Sequence, residues 1–331
     1  MLRNVLRLGS GRWAVAMLML LTAIAVLGKP LAPYEPNQTV ADNLLGPSAQ
    51  HLLGTDYLGR DVLSRLLSGA ALSLSGALLV AVLAFLLGAV PGILSVYLGR
   101  SFEWVSLRVT DTLVALPFLV FAVAMTALLG NGVAQALFAV GILLAPVFYR
   151  VARSATMGVE SSQYVEAAVL AGASTRWVVA KHVLVKVLPP LAISFATTVG
   201  TGLAVIASLT FLGIGVAPPT ATWGGVLATD LSFIAVRPFA PFAPVVLILV
   251  SVLACNLLAD AIRDVTGESG RQLLAETAAR KARRSRARTH FRGLVGAGVG
   301  AGPETRPVPD PTASPDPTPD PVPTPRGGTD V

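Results

Sequence analysis

The side chains in this sequence that could do chemistry do not converge. The three histidines, His51, His182 and His290, lie far apart and show no metal-ligand spacing. The single cysteine, Cys255, sits in an apolar run, where a free thiol is inert packing, and alone it closes no intrachain disulfide. No acid–base pair or nucleophile–histidine pairing comes together. The chain also has no G-x-x-x-x-G-K-[ST] phosphate loop. Asp61 and Arg65 stand at i,i+4 and would face each other on a helix, with Asp56 close by. A short interfacial helix, with Val62, Leu66 and Leu67 on its apolar side, accounts for them better than catalysis does. The reading is therefore no catalytic residue, no cofactor and no metal. What remains is one amphipathic, basic segment, Gln163 to Leu191, which carries Glu166-Ala167-Ala168 and then Gly172.

The elements around that segment are set by hydropathy. Hydrophobic residues make up 53% of the 331-residue chain and charged residues only 13%, with a mean hydropathy of +0.69. A soluble domain carries about 25% charged residues. The deficit excludes a soluble fold and predicts an all-α polytopic membrane protein. The net charge of +7 does not point to nucleic acid, because the positive residues cluster beside apolar runs and in one tail.

In chain order, Trp13–Gly28 is apolar behind Arg3, Arg7 and Arg12. It reads either as a cleaved leader, since Ala23-Ile24-Ala25 resembles a small-residue cleavage site, or as a first membrane helix. Residues 29–67 are polar and rich in turn formers. Leu66 to Gly99 is uncharged and longer than the roughly 20 residues a span needs, with Pro91 as the kink point. Thr112 to Tyr149 is uncharged again and is split at Gly130-Asn131-Gly132 into two helices with a tight hairpin.

The polar segment follows. Ser161 or Ser162 would cap a first short helix, Gly172 would end it, and Ser174 would cap a second, closed by Pro189-Pro190. Leu188–Val216 is the next span; its Thr197, Thr198, Gly200, Thr201 and Gly202 read as helix packing. In the loop 217–243 the Trp and Phe residues suit a membrane interface. Pro244–Ala259 is the last span. Three parts result: 1–67, with the first helix; 68–266, the core of membrane spans; and 267–331, a tail. That tail reads as a basic helix over 271–292 along the anionic inner leaflet, then a disordered Gly, Pro, Asp and Thr segment.

This map has six spans and places both termini on one side. Lys and Arg test it: the segments on that side hold ten before the tail, the opposite segments four. The asymmetry puts the Glu166 segment and both termini in the cytoplasm.

Glu166-Ala167-Ala168, three residues and then Gly172 resembles the EAA loop of bacterial ABC importer permeases. The Leu-Pro step near the end of that pattern occurs here at Leu188-Pro189. Leu53–Arg65, of the form LGTDxLGRDxxSR, looks like the C-type permeases of the dipeptide, oligopeptide and nickel group. So do Thr210–Gly215 followed by Pro218-Pro219 and Trp223-Gly224, and Asn256–Asp264 at the end of the last span. The resemblance covers about residues 10–266.

It implies six transmembrane helices of the type I importer kind, in the bacterial cytoplasmic membrane. Its partners would be a second permease chain (a heterodimer), two ATP-binding ATPase subunits, an extracytoplasmic solute-binding protein and membrane lipid. It implies an ATPase-coupling loop at about 156–188 that includes Tyr164, Glu166, Ala167, Ala168, Gly172, Ala173 and Ser174. A docking helix of that kind uses a carboxylate to meet a basic group, small residues for close approach and a glycine for a sharp turn. The implied cargo is a dipeptide or oligopeptide, with nickel or another small solute as the alternative. An ATP-independent secondary transporter would want charges at mid-membrane, and every span is charge-free at its centre. The substrate-path residues are not readable from the sequence.

Overall fold

The structure is a computed structural model and describes residues 9–130 and 132–267; the tail assignments over 271–331 lie outside the described residues. Within that range the chain forms nine helices: α1 Gly9–Leu31, α2 Val62–Tyr97, α3 Arg100–Ala115, α4 Phe118–Leu129, α5 Val133–Glu160, α6 Gln163–Leu170, α7 Thr175–Phe211, α8 Trp223–Ser232 and α9 Phe242–Thr266. Among the described residues there is no strand, only an isolated bridge between Thr55 and Asp61. Five helices, α1, α2, α5, α7 and α9, are long and apolar enough to cross a membrane. The pair α3 and α4 makes a sixth if taken as one bent span.

Helix α2 is the axis of the bundle. Its 36 residues rise about 54 Å at 1.5 Å each, well beyond the roughly 30 Å of a hydrocarbon core. Pro91 lies inside it without ending it. Asp61 caps its start, accepting from the Ser64 N–H at 2.8 Å. Helix α5 packs parallel to α2 and so closely that glycine is required. A Cβ built on Gly88 would lie 2.1 Å from the Ala145 carbonyl oxygen, and one on Gly92 would lie 2.7 Å from that of Tyr149. Helix α7 returns antiparallel on another face, with Gly202 against Ala77 and Val80, and Gly200 against Val252 and Cys255 of α9. Thr197 and Thr201 donate to carbonyls of their own helix, so these hydroxyls do not bond across it. The small-residue run is a packing surface.

Several sequence expectations about the helices and their ends change. Pro189 and Pro190 do not close a helix; they lie inside α7, which runs on into the span. A proline deprives the carbonyl four residues earlier of its donor. Here those are the carbonyls of Val185 and Lys186, both at exposed positions, while buried Val187 and Leu191 hold the helix to the bundle. The same span ends at Phe211, before the prolines at 218 and 219, because the Ile214 N–H turns back to the Leu209 carbonyl at 2.9 Å.

In the uncharged stretch 112–149 the helices do part at 130–132, between Leu129 and Val133, but the first half is not one straight helix. It breaks at Leu116-Pro117, and α3 and α4 meet there at 100°. Proline disfavours helix in the residue before it, and Leu116 is extended, with ψ 131. Finally, Trp223 is no interface anchor. It is fully buried, with its indole N–H donating to the Leu66 carbonyl at 3.0 Å. Phe239 and Phe242, 80% and 63% exposed, fit an interface instead.

Candidate functional site: the Glu166 loop and the polar knot

At the Tyr97 end of α2, helix α5 reaches Glu160, turns through Ser161 and Ser162, and starts α6. Ser162 occupies the N-cap position in an extended conformation, but its side chain makes no capping bond; its hydroxyl donates back to the Val159 carbonyl. Helix α6 has only eight residues, too few to hold itself in water. One buried side chain anchors it. Val165 packs into a cluster with Val159, Val178, Val183 and Val187, against which Ala173 also rests.

Its C-terminus is closed by main-chain bonds. The Ala173 N–H donates to the Ala168 carbonyl at 3.0 Å and the Gly172 N–H to that of Val169 at 2.9 Å. This is the 6→1, 5→2 closure that calls for a left-handed residue, and Gly172 supplies it with φ +86. Ser174 then caps α7, its Oγ accepting from the Trp177 N–H at 3.4 Å.

The result is a short helix with one anchored side and one free side. Tyr164, Glu166, Ala167 and Gly172 are exposed, Ala168 and Ala173 are half-buried, and Leu170 is 82% exposed. Glu166 has no ion pair among the described residues, and Arg176, Lys181 and Lys186 of the helix that follows are at exposed positions. Of the site residues read from sequence, Tyr164, Glu166, Ala167, Gly172 and Ser174 are thus exposed, while Ala168 and Ala173 are partly covered. Sequence reasoning missed how the loop is braced. The His182 ring stands edge-on to Trp177 at 5.1 Å and lies 5.8 Å from Tyr164, tying α6 to the start of α7. The first turns of α7 include a π turn, Val179–Val183, which carries that histidine.

At the opposite end of α2 lies a second polar assembly. Asp56 accepts from Arg60 Nε at 2.7 Å and from the Leu58 and Arg60 main-chain N–H groups, with Arg65 Nε at 3.6 Å. Asp61 meets His51 Nδ1 at 3.0 Å and the Ser64 hydroxyl at 2.7 Å. Arg65 therefore pairs with Asp56, and the expected Asp61–Arg65 contact does not form, because Asp61 is turned to the helix start as its cap. Arg65 also donates to the Pro36 carbonyl at 3.1 Å. All of these charged groups are at least nine-tenths buried. The stretch is a folded polar knot, not an interfacial helix.

Asp230 of α8 faces this knot. It is 4% exposed and its Oδ2 has no hydrogen-bond partner among the described residues. Burial pushes its carboxyl up to about 6 and Asp56 adds to the rise, while Arg237 and Arg65 oppose it. Among the described residues no three His, Cys, Asp or Glu side chains are placed to hold a metal.

Comparison with known proteins gives the family of the chain. The family described as binding-protein-dependent transport system inner membrane component matches residues 81–267. The chain is similar to the glutathione transport system permease protein GsiD of Escherichia coli O1:K1 / APEC, 35% identical over 253 residues, which are 76% of this chain and 84% of that protein. The protein of the same description from Shigella dysenteriae serotype 1 (strain Sd197) is 36% identical over the same shares. In fold, the chain resembles an inward-facing conformation of the MetNI methionine ABC transporter. The TM-score is 0.51 at 20% identity, covering 61% of this chain and 96% of that one. The chain belongs to the binding-protein-dependent transport inner membrane components, as a permease subunit of the ABC importers of the dipeptide, oligopeptide and nickel group.

Proposed function

We propose that this permease forms, with a second permease chain, the path by which short peptides cross the inner membrane, and that the Glu166 loop is where an ATPase subunit docks. The observation that carries the docking reading is the division of labour in α6. Val165, the main-chain closure at Gly172 and the Tyr164–His182 ring contact hold the helix, which leaves Glu166, Ala167 and Leu170 free for a partner. An unpaired carboxylate beside small and apolar side chains suits a cleft with a basic group in it. The Lys and Arg asymmetry supports a cytoplasmic position for the loop and for both termini.

Each ATPase of a pair would hold one permease. Closure of the ATPases on ATP would carry the loops with them, and the spans would switch between inward-open and outward-open as rigid bodies. A short-peptide cargo is supported by relatives described as glutathione permeases, glutathione being a tripeptide; a binding protein outside would select it.

The test is uptake by cells carrying Glu166→Arg or Gly172→Leu. Both variants are expected in the membrane at normal amounts, with uptake lost and the ATPase no longer co-purifying. Normal transport by both would sink the docking reading. Competition among labelled dipeptides, glutathione and nickel identifies the cargo.

A further inference from the structure

The docking loop is joined by a two-residue turn to one helix, which makes polar contacts to a second. Helix α5 runs unbroken from Val133 to Glu160, and only Ser161 and Ser162 separate it from α6. One side of its last turns faces α3 along three rungs. Arg153 Nη2 donates to Glu103 Oε1 at 2.5 Å, the Tyr149 and Ser106 hydroxyls meet at 2.7 Å, and Arg150 reaches Asp111 at 3.3 Å. The Arg150–Asp111 rung is more than half exposed on both sides and is the longer contact. The Arg153 rung is different. The Arg153 side chain is 15% exposed, and its other guanidinium nitrogen donates to the buried Ser95 hydroxyl of α2 at 3.0 Å. A planar guanidinium thus fixes three helices, α2, α3 and α5, at one point.

Helix α3 does not end in solvent. It bends by 100° at Leu116-Pro117 into α4. There Leu119 forms part of the wall of an apolar groove of about 790 Å³, whose other walls include Ala207 and Phe211 of α7, Leu231 of α8 and Leu249 of α9. A continuous mechanical path therefore exists from α6 through α5, across the Arg153–Glu103 pair, along α3 and round the bend to the groove.

We infer that Glu103 and Arg153 are positioning residues that transmit displacement of the docking loop to the α4 wall of the groove. The inference rests on the docking reading above. A charge-assisted pair suits the task, because it resists separation while letting two helices pivot about the contact. The bend at Pro117 converts sliding of α3 into a swing of α4.

The experiment uses the full importer, assembled with its ATPase subunits, in a Cys255→Ser background with spin labels at Val120→Cys on α4 and Val246→Cys on α9. Pulsed electron resonance reads their separation with and without ATP, and ATP hydrolysis is measured on the same samples. With the pair intact, ATP is expected to shift the separation by several ångströms. Glu103→Gln and Arg153→Met are expected to abolish the shift while hydrolysis stays within about twofold of the parent. The exchanged pair, Glu103→Arg with Arg153→Glu, is expected to restore most of the shift, since coupled residues deviate from additivity and distant ones do not.

A shift that persists in Glu103→Gln overturns the inference. So does an exchanged pair no better than either single change, or a parent that shows no shift. Glu166→Arg separates the two readings. If it leaves the ATPase bound and hydrolysis coupled, the docking reading fails. If it releases the ATPase while Glu103→Gln still responds to ATP in its own complex, only the inference about the pair fails.

Discussion

Arg237 donates to the main-chain oxygen of Thr55, 182 residues earlier in the chain, and its second terminal nitrogen donates to that of Leu53 at 2.5 Å. One guanidinium thus fastens the segment after α8 to the polar knot at the start of α2. Thr55 is fully buried, so its carbonyl has no water to turn to. Arg237→Met is expected to destabilise the permease by about 2–4 kcal/mol, the cost of leaving buried acceptors unpaired. The measurement is the thermal midpoint in detergent. Arg237→Lys should recover little, because an ammonium lacks the two-pronged fork that reaches both carbonyls. Full recovery with lysine would show that charge, not geometry, matters there.

Asp230 makes stability depend on pH. Its carboxyl is raised from 3.8 to about 6, first by burial. Below about pH 4 the group is neutral in both folded and unfolded chains and costs nothing. As pH rises toward 6 the unfolded chain ionises freely while the folded one resists, so stability falls; above about 6 the loss is complete. The full cost is on the order of 3 kcal/mol. Asp230→Asn, which needs no ionisation, is expected to melt higher than the parent at pH 8 and at the same temperature near pH 4. An equal difference at both pH values would assign the effect to packing.

The α2–α5 contact predicts opposite outcomes for two glycines. Gly88→Ala drives a methyl into the Ala145 carbonyl and the Phe148 Cβ, 2.1 and 2.8 Å from the new atom. Separating the helices should cost about 1–3 kcal/mol. Gly158, inside α5, has nothing within 4 Å of a built Cβ, and Gly158→Ala is expected to be neutral or to stabilise by up to about 1 kcal/mol. Thermal midpoints of the two single variants check both. A midpoint that rises equally in both variants would mean that helix propensity, not the close approach, decides.

What was legible in the sequence was local. The start and stop of α6, the glycine at 172 and the serine cap at 174 follow from neighbours within a few residues, and the structure places them where the pattern does. Apolar length alone marked most of the spans. The rest needed partners distant in the chain. Arg65 has Asp61 four residues away but binds Asp56 and the Pro36 carbonyl, because Asp61 is committed to the start of α2. Trp223 has the composition of an interface residue and the position of a core one, a distinction made by Leu66, 157 residues away. Pro117 and Pro189 show the limit most directly. The first breaks a helix and the second does not, and the proline in each sequence looks the same until the fold around it is known.

The closure of α6 by main-chain bonds has a consequence for how such a surface changes over generations. Because Val165, the backbone at Gly172 and the Tyr164–His182 ring contact hold the helix, substitutions at Glu166, Ala167 and Leu170 leave the loop's shape nearly untouched. Compatibility with one ATPase or another can therefore drift by single steps, each visible to selection through recognition alone. A duplicated transporter could part from its sibling's partner without ever passing through a misfolded ancestor.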